Sequence, residues 1–210
     1  MTTGGPGLRR DAERNRQRLL ETAGALMAER GLGVSYEEIA RAAGTGMGTV
    51  YRRFPDRQDL VDAVFDGHVE AVHRMAEDAA RGEDAWVGLG EFFTRQLELE
   101  AENRALGQIL RGQDGSYAIV ERTSRRMTPV VRGLLQRAVA AGQLPAGVTV
   151  GDLVAVHLMV GSVLDASREF APHLWRRALA VALAGLQHAD LPGPAPADDA
   201  VERLFSRDGP

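Results

Sequence analysis

From about residue 11 to about residue 188 the apolar side chains recur at three- and four-residue intervals, and no Val/Ile/Thr-rich alternating run interrupts them. That period puts apolar groups on one face of a helix, whereas a strand needs period two, so the chain is confined to an all-α fold. At 210 residues, 44% hydrophobic and 26% charged, it has the material for one core-bearing body with a small appendage. Two segments lack the pattern: residues 1–8, rich in Gly and Pro, and residues 189–210, with Pro192, Pro194 and Pro196; both are expected to be flexible tails.

The first helix is expected from Asp11 to Arg30, with Leu19, Leu20, Ala23, Leu26 and Met27 on one stripe and Gly31 as its C′ residue. Ser35 and Glu38 have the spacing of a capping box, with Val34 and Ile39 as its hydrophobic staple, so a second helix starts at Ser35 and ends by Gly44. A third runs from Met47 to Phe54 until Pro55 stops it, and Asp56 with Asp59 opens a fourth. Two short helices around Gly44-Thr45-Gly46 have helix-turn-helix spacing, with Ala40 and Val50 at the crossing. Charge agrees with a division here. All 25 basic residues are arginine; residues 1–60 hold ten against eight acids, while the rest hold fifteen against twenty-one. A basic head on an acidic body suits nucleic-acid binding by the head.

The string from Ser35 to Leu60 resembles the N-terminal signature of the TetR family of bacterial transcriptional regulators. Ile39, Ala40, Ala43, Gly44, Gly48, Thr49, Val50, Tyr51, Phe54 and Leu60 all stand at that family's spacing. Thr45 replaces the usual valine, Gly46 the usual serine and Arg57 the usual lysine, so a hydroxyl that could cap the third helix is lost unless Thr45 supplies it. Ala140 to Leu144 resembles the family's ending of its seventh helix. The resemblance implies about nine helices in two parts: a DNA-binding domain over residues 9–56 and a ligand-binding and dimerisation domain over 57–188.

For a head of this kind Arg57, at a helix N-terminus, is a candidate phosphate contact. Thr49 and Tyr51 offer hydroxyls to the backbone, as family members do, and Ser35 joins them. Thr45, Met47, Gly48 and Arg52 are candidates for the groove-facing edge, where Arg52 could read guanine. Arg9, Arg10 and Arg14 would approach flanking phosphates.

The resemblance also implies pairing through the last two helices. Leu153, Val156, Val160 and Leu164 follow the cap at Thr149 and Asp152, and Trp175, Leu179, Leu183 and Leu186 follow Pro172. Either these faces meet a second copy in a four-helix bundle or they close the monomer's own core. A small-molecule cavity is implied between residues 85 and 168, with Phe93, Gln96, Leu97, Ile109, Gln113, Tyr117, Met127, Val131, His157 and Asp165 as candidate lining and Gln108 and Arg125 as further polar groups. Pro129 either kinks one helix there or begins another.

Other chemistry is not expected. With no cysteine there is no disulfide, thiolate metal site or cysteine nucleophile. His68 and His73 fall about 140° apart on a helix, so neither metal nor cofactor is foreseen. Ser116 and Ser124 lack a nucleophile-elbow setting, which argues against an enzyme. The N-terminus lacks a signal-peptide core and no unbroken apolar run approaches about 18 residues, so a cytoplasmic protein without a membrane partner is expected. The expected partners are a palindromic double-stranded DNA operator, a second copy of the chain and a small-molecule effector; a ligand-binding helical protein without operator binding is the alternative.

Overall fold

The computed structural model describes residues 6–112, 117–188, 190, 191, 193 and 194. Among these are nine α-helices and no strand: α1 Pro6–Arg30, α2 Tyr36–Ala42, α3 Met47–Arg53, α4 Arg57–Arg81, α5 Ala85–Glu102, α6 Arg104–Leu110, α7 Tyr117–Ala140, α8 Val150–Ser167 and α9 Leu174–Gln187. The first helix begins five residues before the expected start, so residues 6–8 are helical and not part of a flexible leader. Pro6 suits a first helical position, where its missing N–H costs nothing and its φ is preset. Of the C-terminal tail, most lies outside the described residues. Pro129 sits inside an uninterrupted α7.

The helix boundaries follow from local chemistry. Gly31 ends α1 at φ 84° and its N–H returns to Met27 O at 2.8 Å, as a C′ glycine does. Ser35 and Glu38 form the expected reciprocal box at α2. Helices of seven residues are not stable alone in water. α2 and α3 are therefore held by packing: Tyr36, Ile39, Ala40, Val50 and Phe54 are all buried, and the Tyr36 hydroxyl donates to Phe54 O at 2.9 Å, tying the start of α2 to the end of α3.

Two apolar cores result. One gathers α1, α2, α3, the first half of α4, α6 and the start of α7; it includes Leu19, Met27, Leu60, Phe65, Leu106 and Ile109. The other gathers the end of α4 with α5, α7, α8 and α9 around Leu89, Leu97, Leu134, Leu153 and Trp175. The division of burial thus falls within α4, not at residue 57, because Leu60, Val61 and Phe65 face the head. α8 has the length and mean hydropathy (1.4) to cross a membrane, a feature that counting unbroken apolar runs overlooks; 44% of it is buried inside this protein.

Candidate nucleic-acid interface and internal cavity

α3 presents one face to solvent. Val50 is fully buried, while Met47 and Tyr51 are each about half exposed and Gly48, Thr49, Arg52 and Arg53 are exposed. A methyl group at Gly48 would meet nothing closer than Arg52 at 3.9 Å, so bare backbone is open there. Arg52 donates to the Thr49 hydroxyl at 3.2 Å, and the Tyr51 ring stands edge-on to Tyr36, with centroids 4.9 Å apart. Arg53 donates to Ala12 O at 2.9 Å and so braces α3 against α1. Arg10 and Arg14 lie exposed on α1, Arg14 beside Asp11.

Two expectations need correction. Gly46 is the N-cap of α3 and no side chain bonds that cap, so Thr45 does not replace the lost serine hydroxyl. Ser35 is committed to its box: its hydroxyl donates to Glu38 at 2.9 Å and accepts the Glu38 N–H at 3.2 Å, which leaves it little to offer a phosphate. The Ser35 N–H, and then the Arg30 guanidinium, hold the Glu38 carboxyl down at about 2. Arg57 is half-buried and donates to Leu32 O. Through that one bond it holds the α1–α2 loop.

That loop is gripped from two sides. Leu32 N–H donates to the Gln108 carboxamide of α6 at 2.7 Å. Gly31 is pressed against the same carboxamide; a Cβ there would fall 2.6 Å from its oxygen. Gln108 is therefore a link between head and body.

In the body α5, α6, α7 and α8 line a partly open cavity of about 110 Å³. From α5 it receives Phe92, Phe93 and Gln96, and from α6 Leu110. α7 contributes Val120, Thr123, Ser124, Met127, Thr128 and Val131, and α8 contributes Val150, Leu153, Val154 and His157. Of the expected lining residues, Phe93, Gln96, Met127, Val131 and His157 are there. Leu97 and Ile109 are fully buried in the cores and do not line it. Asp165 is also absent from its wall and pairs with Arg111 at 2.5 Å. Gln113 lies outside the described residues, as does the side chain of Tyr117. Arg125 is engaged with Glu121 on α7's outer side.

Behind His157 lies a buried charge cluster. Glu100, wholly buried, stands 2.9 Å from Nε2 of His157 and 2.7 Å from Arg111. Burial raises the Glu100 carboxyl, but the attraction of His157 and Arg111 outweighs that and holds it below its ordinary range. Arg168 donates to the carbonyls of Glu100 and Ala101, at 2.9 and 2.6 Å, and closes the end of α5.

Residues 19–64 match the family model described as bacterial regulatory proteins, tetR family. Residues 82–188, just over half of the chain, match that of the SbtR-like transcriptional regulator C-terminal domain. The chain belongs to the TetR family of transcriptional regulators. Among curated relatives, an HTH-type transcriptional regulator of Staphylococcus aureus (strain USA300) is 48% identical over 54 residues, which is 25% of this chain and 29% of that protein. The chain thus spans under a third of the length of the curated relatives it matches. Among solved structures, RolR in complex with resorcinol aligns with 96% of this chain and 97% of its own, at TM-score 0.55 and 23% identity. FadR from Bacillus subtilis in complex with stearoyl-CoA covers 81% of this chain and 98% of its own, at TM-score 0.61 and 16% identity. At these identities the likeness is one of fold.

In this TetR-family chain the residues expected to pair two copies are spent inside one. Leu153, Val156, Val160, Leu164, Trp175, Leu179 and Leu186 are each at most 6% exposed, and Leu183 is partly buried against the same core. Apolar spacing marked α8 and α9 as buried but could not say which face met which partner. The outward face carries Met159, Leu174 and Val181 instead, 58%, 42% and 66% exposed. Ala155, Ser162 and Ala166 share Met159's side of α8.

Proposed function

We propose that the protein is a homodimeric transcriptional repressor of the cytoplasm that binds a palindromic operator in double-stranded DNA and is released by a small molecule. The observation that carries the DNA reading is α3: a seven-residue helix braced by Tyr36 and Arg53, with Met47, Gly48, Thr49, Tyr51 and Arg52 outward. Such a rod fits the major groove, where Arg52 can meet guanine and Met47 a thymine methyl. Thr49 and Tyr51 offer hydroxyls to phosphates, as Arg10 and Arg14 offer charge. One head makes few contacts, so two are required, at half-sites about 34–36 Å apart or a multiple of it.

The pairing surface we propose is the outer face of α8 and α9, where exposed Met159, Leu174 and Val181 stand among small residues that let helices approach. The effector site is the cavity, a use supported by the ligands named for RolR and FadR. A ligand favouring one arrangement of α5 to α8 would shift the population of head positions through α6, whose Gln108 holds the loop that Arg57 also holds. Coupling of about 1–3 kcal/mol would change operator affinity roughly 5–150-fold.

The test is a gel-shift series on DNA beside the gene at several salt concentrations. A specific complex whose log affinity falls with log salt supports the reading. No complex at low salt, with ligand binding retained, would establish the alternative, a ligand-binding helical protein without an operator.

A further inference from the structure

By its packing α6 belongs to the head. Ala105, Leu106, Ile109 and Leu110 all lie in the core that gathers α1 to α3, and Gln108 holds Leu32. The tie that runs from α6 to both α5 and α8 is ionic instead. Arg111, the C-cap of α6, has a side chain only 7% exposed, and its two terminal nitrogens go to carboxylates on different helices. Nη1 donates to Glu100 of α5 at 2.7 Å and Nη2 to Asp165 of α8 at 2.5 Å. A planar guanidinium serves two carboxylates in fixed directions, as the ammonium of a lysine on its flexible stem does not.

Two glycines shape the seat for that group. A Cβ at Gly161 of α8 would fall 2.6 Å from Nη1, and one at Gly107 of α6 would overlap Nη2. Neither glycine has a positive φ, so neither serves to turn the backbone. Both lie inside helices, where glycine costs stability relative to alanine. What they supply is room for the guanidinium. Glu100 is wholly buried and also stands 2.9 Å from His157 in the cavity wall, while Arg168 binds Asp165 and two late carbonyls of α5. The two carboxylates therefore form one seat beside the cavity.

We propose that Arg111 is a latch: its guanidinium, seated between Gly107 and Gly161 and held by Glu100 and Asp165, fixes α6 against the body and so sets where the head stands. Packing alone leaves α6 to move with the head; the latch makes that movement depend on α5 and α8. With the latch open, the guanidinium and both carboxylates would lose partners while partly or wholly buried, so one position of α6 is favoured over a range of them. That the position of the head governs operator affinity rests on the function proposed above; the latch itself does not.

Gly161→Ala tests the latch through a reversal of sign. In an open helical position alanine is more stable than glycine, as Gly133→Ala on α7, where a Cβ meets nothing within 4 Å, should show. At Gly161 the added methyl displaces the guanidinium without removing any charge. Hydrogen exchange of the full chain is read by mass spectrometry with no DNA present. The amides of residues 31–34 and 105–110 should exchange about tenfold faster in Gly161→Ala than in the parent, with those of residues 130–140 unchanged, and Gly133→Ala should leave the first two segments as they are. If Gly161→Ala fails to fold, Asp165→Ala, which removes the α8 arm of the seat, should give the same pattern. Parent-like exchange in residues 31–34 and 105–110, or equal acceleration in every helix, overturns the proposal. The expected pattern with no operator complex in the gel shift upholds the latch and counts against the regulatory reading. An operator complex together with parent-like exchange in the variants overturns the latch and leaves DNA binding standing.

Discussion

Replacing Gln108 by Leu removes the one acceptor that α6 offers to the α1–α2 loop while keeping much of its bulk. The carboxamide oxygen accepts Leu32 N–H at 2.7 Å, and Leu32 is 1% exposed, so water cannot easily take the vacated place. Losing a hydrogen bond and leaving a buried amide unsatisfied costs about 1–3 kcal/mol. For a chain of this size each kcal/mol lowers the melting temperature by about 2–4 °C, so the expected drop is roughly 2–12 °C. Gln108→Glu retains an acceptor and should recover most of that loss. Thermal melting by circular dichroism measures both, and a gel shift at fixed salt shows whether the loosened head also loses operator affinity. If Gln108→Leu melts within about 1 °C of the parent, the loop is not held from α6 and the proposed route between cavity and head fails.

Other perturbations test other parts. Glu38's depressed carboxyl contributes stability that is complete above its unfolded value of about 4.5 and is lost as pH falls toward about 2; Glu38→Gln should therefore flatten the acid limb of a melting-temperature profile over that window, and an unchanged limb would contradict the box. Glu100→Ala leaves Arg111 short of a buried partner, at a cost of about 3–5 kcal/mol, which differential scanning calorimetry should register as a large fall in melting temperature. Arg14→Ala should weaken all DNA sequences alike and lower the salt slope by about one, whereas Arg52→Ala should relax choice at one base position; uniform loss for Arg52→Ala would remove its reading role. Met159→Asp with Val181→Asp should sediment as a monomer with an unaltered melting profile, and a persisting dimer would place the interface elsewhere.

What could be read before the structure was chiefly local. The Ser35–Glu38 box, the Gly31 terminus and the alternation of Val50 with exposed α3 positions depend on residues a few places apart, and each appears as expected. Partners distant in sequence were another matter. Leu153 and Trp175 announced burial by their spacing, but whether against a second copy or the chain's own α5 and α7 depends on how helices cross. Gln108 looked like a candidate ligand group until the fold turned it to Leu32, 76 positions away. The bond from Arg57 to the Leu32 carbonyl, 25 positions away, likewise had no local signal. The hydroxyls of Thr123 and Ser124 carried a readable signal: they interrupt the inward apolar stripe of Val120, Met127 and Val131, as a ligand-facing strip does. His157 was legible as a polar residue on an apolar helix, but its pairing with Glu100 was not.

Entry of α3 into DNA as one of a pair is tested most directly by footprinting of the DNA flanking the gene. It predicts protection over two symmetric half-sites about 34–36 Å apart, or a multiple of that, weakening as salt rises. An absence of any protected palindrome at low ionic strength would contradict it.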